Sequence, residues 1–141
     1  MIMLSNISFT PEIQIVDEDF SLRRGKIVVK LNMNKSDLLK AINLDELRNT
    51  TERNVTLKNK KYKYINYNFQ GLSITLSNVY WDESGRKEDD FVVKSLETKN
   101  NQWETYRGIT VSGDINKGES VYGKLIKSEG QSGFLLYLLG L

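Results

Sequence analysis

The stretch YWDESGRKEDD (Tyr80–Asp90) packs five carboxylates and two aromatics into eleven residues. Carboxylates alone can run acid–base chemistry, but glycoside-type hydrolysis needs two of them on opposite walls of a deep cleft. The adjacent acids Asp17/Asp19 and Asp89/Asp90 fall in charged, loop-like runs that do not build one. The chain has neither histidine nor cysteine. That removes Ser-His and Cys-His catalysis, zinc hydrolysis and thiolate metal sites. The expected site therefore has no catalytic, cofactor-binding or metal-binding residue. Its expected chemistry is recognition. Tyr80 and Trp81 would anchor, and Asp82, Glu83, Glu88, Asp89 and Asp90 would face a cationic partner. Trp103 and Tyr106 in NNQWETYRG form a second candidate anchor, with Arg107 paired to Glu104 or a nearby loop acid. The competing reading is a solvated hairpin loop with Trp81 packed over a sheet edge.

Other segments suggest weaker chemistry. KNKKYKYINYNF (Lys58–Phe69) interleaves lysine and aromatic residues, as a single-stranded nucleic-acid platform would. Tyr62 and Tyr64 alternating with Lys61 and Lys63 is equally the pattern of a strand with one wet face, and lysines protect sheet edges. With a net charge of +2, nucleic acid is not the expected partner. GDINKGES (Gly113–Ser120) lacks the glycines and Lys-Ser pair of a phosphate loop and the oxygen ligands of a calcium loop.

These groups need elements to hold them. At 141 residues, 39% hydrophobic and 27% charged, the chain suits one soluble domain over 1–141. MIMLSNISF lacks the features of a signal peptide, and FLLYLLGL is too short to span a bilayer. A cytoplasmic protein is expected, with no membrane partner. EIQIV (Glu12–Val16) and GKIVVKLNM (Gly25–Met33) read as strands. NKSDLLKAIN reads as a helix capped by Asn34, with Leu38, Leu39 and Ile42 on its apolar face and a left-handed stop at Asn43. LDELRNTTERN reads as a helical turn fading into a polar loop. KYKYINYNF, GLSITLS and FVVKSLETK form an antiparallel meander, turning at Gln70-Gly71 and inward at Leu72, Ile74 and Leu76. SGFLLYLLGL is a further strand, apolar on both faces and so central or covered. GDINKGESVYG (Gly113–Gly123) matches MNKSDLLKAIN (Met33–Asn43) in its Asx start and left-handed-tolerant end. A second capped helix over Asp114–Tyr122, with Ile115, Glu119 and Tyr122 on one face, is expected.

The fold class predicted is α+β: an antiparallel meander with short helices on one face. It can be read as two related helix–sheet repeats, one over about 25–100 and a truncated one over about 105–141. At RGITV…GD…YG the chain resembles β-lactamase-inhibitor-protein-like repeats, with MNKSDLLKAIN matching the helix of a first repeat. It departs from that pattern at Ser112, inserted before Gly113, and at Gly118. The resemblance implies a sheet that presents aromatics and charges to a protein target without catalysis. By analogy of fold and composition it implies an immunity protein of a bacterial contact-dependent growth inhibition or bacteriocin system. The partner would be a cognate toxin of nuclease type, whose basic cleft an acidic surface steers and blocks. A scaffold or assembly module of the same fold is the alternative, followed by a small single-stranded nucleic-acid-binding protein.

Overall fold

The computed structural model describes residues 2–5, 16–111, 126–128 and 134–139. Among these residues ten strands fall into two sheets. β2 (Ser21–Arg24) and β3 (Ile27–Lys30) form a hairpin that turns at Gly25, whose φ of 61° suits a residue without Cβ. β8 (Glu104–Thr105) adds to the other edge of β2, giving the order β3-β2-β8. The larger sheet has seven strands among the described residues. Its antiparallel meander comprises β4 (Leu47–Leu57), β5 (Lys60–Phe69), β6 (Leu72–Ser77) and β7 (Val92–Thr98). β1 (Ile2–Ser5) then lies antiparallel to β7 and parallel to β10 (Phe134–Leu139), and β9 (Ile126–Ser128) closes the order. The fold class is α+β and mostly sheet, as the sequence predicts.

The alternation read in β6 decides which face is buried. Leu72, Ile74 and Leu76 are at most 2% exposed, while Ser73 and Thr75 are half-buried on the other face. They pair with Phe69, Tyr67 and Ile65 of β5, so the apolar side of one strand continues into the next. Helix α1 (Lys35–Ala41) and the small sheet cover this face. Leu38, Ile42, Leu22, Val29, Trp103 and Ile109 join the meander residues in a single buried cluster. Burying each large apolar side chain contributes about 1.5–3 kcal/mol relative to leaving it in water. Backbone bonds clamp the layers together where the chain enters α1. Asn32 N donates to Val93 O and Val93 N donates to Met33 O, both at 2.8 Å.

Asn34 caps α1 as expected: its Oδ1 accepts from Asp37 N at 2.8 Å. Asn43 is not the left-handed stop. With φ of −79°, it accepts from Asp45 N and starts a short 3-10 turn (Leu44–Glu46), while α1 ends on the extended Ile42. The larger departure is β4. A fading turn and polar loop were expected after Leu44, but Leu47–Leu57 is an eleven-residue strand paired along β5. Among the described residues it is an edge strand, and no residue from Arg48 to Asn54 is buried. Its hairpin turns at Lys58 and Asn59, both with positive φ, the geometry that a two-residue turn requires. β10 takes an interior place between β1 and β9, as its unbroken apolar run predicts. The strand expected at EIQIV (Glu12–Val16), apart from Val16, and the helix expected over Asp114–Tyr122 lie outside the described residues.

Candidate protein-binding site

The acidic run sits in the connection from β6 to β7, and its anchor is Asn78. This residue is 5% exposed. Its Oδ1 accepts from Lys63 N and its Nδ2 donates to Glu88 O, each at 2.8 Å. One side chain thus ties both ends of the loop to β5. Ser77 Oγ reinforces this by donating to Lys63 O and accepting from Val79 N. Inside the loop, Arg86 donates through Nη2 to Val79 O (2.7 Å) and through Nε to Ser84 Oγ (2.9 Å). Asp90 accepts from Lys87 N at 2.9 Å and closes a local turn. The loop is built rather than loose.

Tyr80 occupies the left-handed region with φ of 56°, a conformation that costs a residue with a Cβ about 1–2 kcal/mol. Its carbonyl accepts from both Glu83 N and Ser84 N. Its ring meets Tyr62 edge-on, with centroids 5.4 Å apart. Tyr62 is only 2% exposed, although it shares the strand face of the half-buried Tyr64 rather than that of Ile65. The loop buries it there. Its hydroxyl donates to Asp82 Oδ1 at 2.9 Å, and Lys60 Nζ bonds the other oxygen of Asp82. Burial, followed by the bond to Asp82, pushes the Tyr62 hydroxyl up to about 12. The bond from Lys60 holds the Asp82 carboxyl below its ordinary range, and the same contact raises Lys60.

A groove of about 480 Å³ runs beside this loop, between Asn54, Lys61 and Lys63 on one side and Glu88 and Asp89 on the other. No polar side-chain partner holds Glu83, Glu88 or Asp89 among the described residues. The acids expected to act as one negative field therefore divide into two kinds. Asp82 and Asp90 are committed to the fold, and Glu83, Glu88 and Asp89 are available. Lys61 and Lys63 line the same groove, so the surface carries both signs of charge.

Of the nine residues singled out in the sequence, Tyr80, Trp81, Asp82, Glu83, Glu88, Asp89 and Asp90 share this loop. Tyr80 is 37% exposed and Trp81 is half-buried. Trp103 and Tyr106 lie apart from it, just before and just after β8. Tyr106 is exposed at 44%, and its carbonyl accepts from Arg23. Trp103 does not fit the expectation of a contact anchor. It is 1% exposed, packed in the core with the Arg24 guanidinium 5.0 Å from its ring centre. Arg107 pairs with Asp19, while Glu104 takes Arg23 at 3.1 Å. Sequence reasoning missed Asn78 as the bracket, Lys60 as the partner of Asp82, and Lys61 and Lys63 as the opposing wall. A buried asparagine directly after a strand gives a local signal for the first. Only strand register reveals the others.

Among the described residues no cluster of three or more acids forms that could hold a metal ion, and no helix is long and apolar enough to cross a membrane. No protein-family model, curated protein or solved structure matches this chain.

Proposed function

We propose that this chain is a non-catalytic binding protein of the immunity type, acting in the cytoplasm on a toxin domain through the Tyr80–Asp90 loop and its groove. The observation that carries the reading is the state of Glu88 and Asp89. Neither carboxylate has a side-chain partner among the described residues, and the loop end that carries them is fixed to β5 by the bond from Asn78 to Glu88 O. Charged groups that are held in place but unpaired suit recognition, because little ordering entropy is lost on docking. Tyr80, exposed and propped against Tyr62, is the aromatic contact. The mixed charge of the groove narrows the partner to a surface with both signs, cationic opposite Glu88 and Asp89 and acidic opposite Lys61 and Lys63. A nuclease-type toxin with a basic cleft meets the first half of that requirement. The β-lactamase-inhibitor-like resemblance of the sequence supports the same reading.

Calorimetry with the toxic domain encoded beside this chain tests it. Micromolar or tighter binding is expected, and so is protection of growth. Glu88→Lys with Asp89→Lys should weaken binding about ten-fold or more while leaving the melting curve in place. Absence of heat at micromolar concentrations, or unchanged affinity in the double variant, would overturn the reading.

A second reading has its own observation. Among the described residues β4 presents an eleven-residue unpaired outer edge, which suits an assembly module that accepts a partner strand. Thr50→Pro in β4, away from the groove, would weaken such an assembly and leave toxin binding through the loop intact.

A further inference from the structure

A second cleft, of about 330 Å³, opens where β2, the start of β4, the end of β5 and the segment before β8 converge. The bond from Thr98 Oγ1 to Gly71 O puts this corner at the Thr98 end of β7, whereas the acidic loop joins β7 at Val92. Trp103 lines the cleft and is 1% exposed. Its indole Nε1 is buried and has no hydrogen-bond partner among the described residues. An indole nitrogen only donates, and a buried donor left unpaired costs about 1–3 kcal/mol. Native folds rarely leave one without a reason.

The other polar groups at the cleft share one character. Arg24 lies over the Trp103 ring and donates through Nη2 to Glu46 Oε2 at 2.9 Å, so the single carboxylate of the cleft is already taken. Arg48 is exposed and no acid pairs with it among the described residues. Gln70 and Gln102 add amide groups at the rim. Two guanidinium groups against one carboxylate leave the cleft positive, and its unused groups are chiefly N–H donors. Its volume is at the small end of ligand pockets.

The geometry points to an anion site in this cleft, one that takes a carboxylate or phosphate oxygen on the Arg48 guanidinium, with the unpaired Trp103 indole in the wall beside it. The oxyanion can come from a small metabolite or from an acidic side chain or terminus of a bound protein. The site does not depend on the function proposed above, because none of its residues belongs to the acidic loop.

The indole N–H resonances test the inference directly. The chain has two tryptophans, so Trp81 is a built-in control. Inorganic phosphate, citrate and a short Glu/Asp-ended peptide would each be titrated at constant ionic strength set with sodium chloride. A saturable shift of the Trp103 indole peak alone is expected, with affinity weakened about ten-fold or more in Arg48→Ala. Arg48 is exposed, and a melting curve checks that this variant folds. A response to phosphate or citrate assigns the site to a small molecule, and a response to the peptide alone assigns it to a protein carboxylate. The inference is overturned if no titrant moves the Trp103 peak, if sodium chloride alone moves it equally, or if Arg48→Ala binds as the parent does.

Discussion

Arg107 and Asp19 meet across the small sheet through two parallel bonds, Nε to Oδ1 at 2.8 Å and Nη2 to Oδ2 at 2.9 Å. Asp19 is fully buried, and its Oδ2 also accepts from Val16 N. A buried charge is tolerable only when it is paired, so losing one partner costs more than losing both. Arg107→Met is expected to lower unfolding free energy by about 3–5 kcal/mol. Asp19→Asn combined with Arg107→Met should recover part of that loss. Urea denaturation of the two single variants and the double variant measures the coupling, and strictly additive losses would contradict it.

The Lys60–Asp82–Tyr62 chain gives the molecule two pH limits. Asp82 titrates below its ordinary 3.8 in the fold. Its contribution is therefore present above that value and fades as pH falls through the lower folded value. Tyr62 titrates above its ordinary 10.0, at about 12, so its contribution is intact below 10.0 and is lost as pH climbs toward 12. Stability measured against pH should weaken at both ends. Asp82→Asn should flatten the acid limb, and near-ultraviolet difference titration against Tyr62→Phe should place the tyrosine step late.

Lys94 sits at the β-bulge in β7 opposite Thr75 and Leu76. Burial lowers its amine below the ordinary 10.5, and the nearby Arg86 charge lowers it further. A cation held against both effects destabilises the fold when protonated. Lys94→Met should raise unfolding free energy modestly at neutral pH, because solvent screens much of the charge on a half-buried amine. The parent should also gain stability between its depressed folded value and 10.5 as pH rises, a gain absent from the variant.

Two turn glycines separate backbone strain from crowding. Gly71 and Gly85 both have positive φ, 74° and 70°. A Cβ on Gly71 would overlap the Asn100 carboxamide, whereas a Cβ on Gly85 would meet nothing within 4 Å. Gly85→Ala should cost about 1 kcal/mol. Gly71→Ala should cost visibly more, because Asn100 also accepts from Gln102 N. Equal melting temperatures for the two variants would refute this.

The meander and α1 were legible because each announces itself locally. Leu72, Ile74 and Leu76 alternate with small polar residues, and Asn34 stands where a cap must stand. β4 was not legible, because an edge strand wet on both faces has no apolar period for a pattern to detect. Its β-branched Thr50, Thr51, Val55 and Thr56 were the one hint, and the neighbouring asparagines masked it. Trp103 could not be placed from NNQW, whose polar neighbours suggest exposure. Its burial follows from how β8 meets β2, a contact remote in sequence. The acidic run was legible as a group of residues but not as a field. Whether Asp82 finds Lys60, and whether Lys61 and Lys63 face Glu88 and Asp89, depends on which residues cross-strand pairing brings alongside.

β1 has a consequence out of proportion to its four residues. Among the described residues it is the sole hydrogen-bonded bridge between β7 and β10. If Ile2–Ser5 detach, the large sheet separates into a four-stranded and a two-stranded ribbon, each with a newly bare margin open to outside strands. Because Ile2 registers with both Thr98 and Leu136, joining the ribbons waits on segments far apart along the polypeptide. That closure is the slow step expected in assembling the molecule, and the interval before it is when the chain is most open to misassociation.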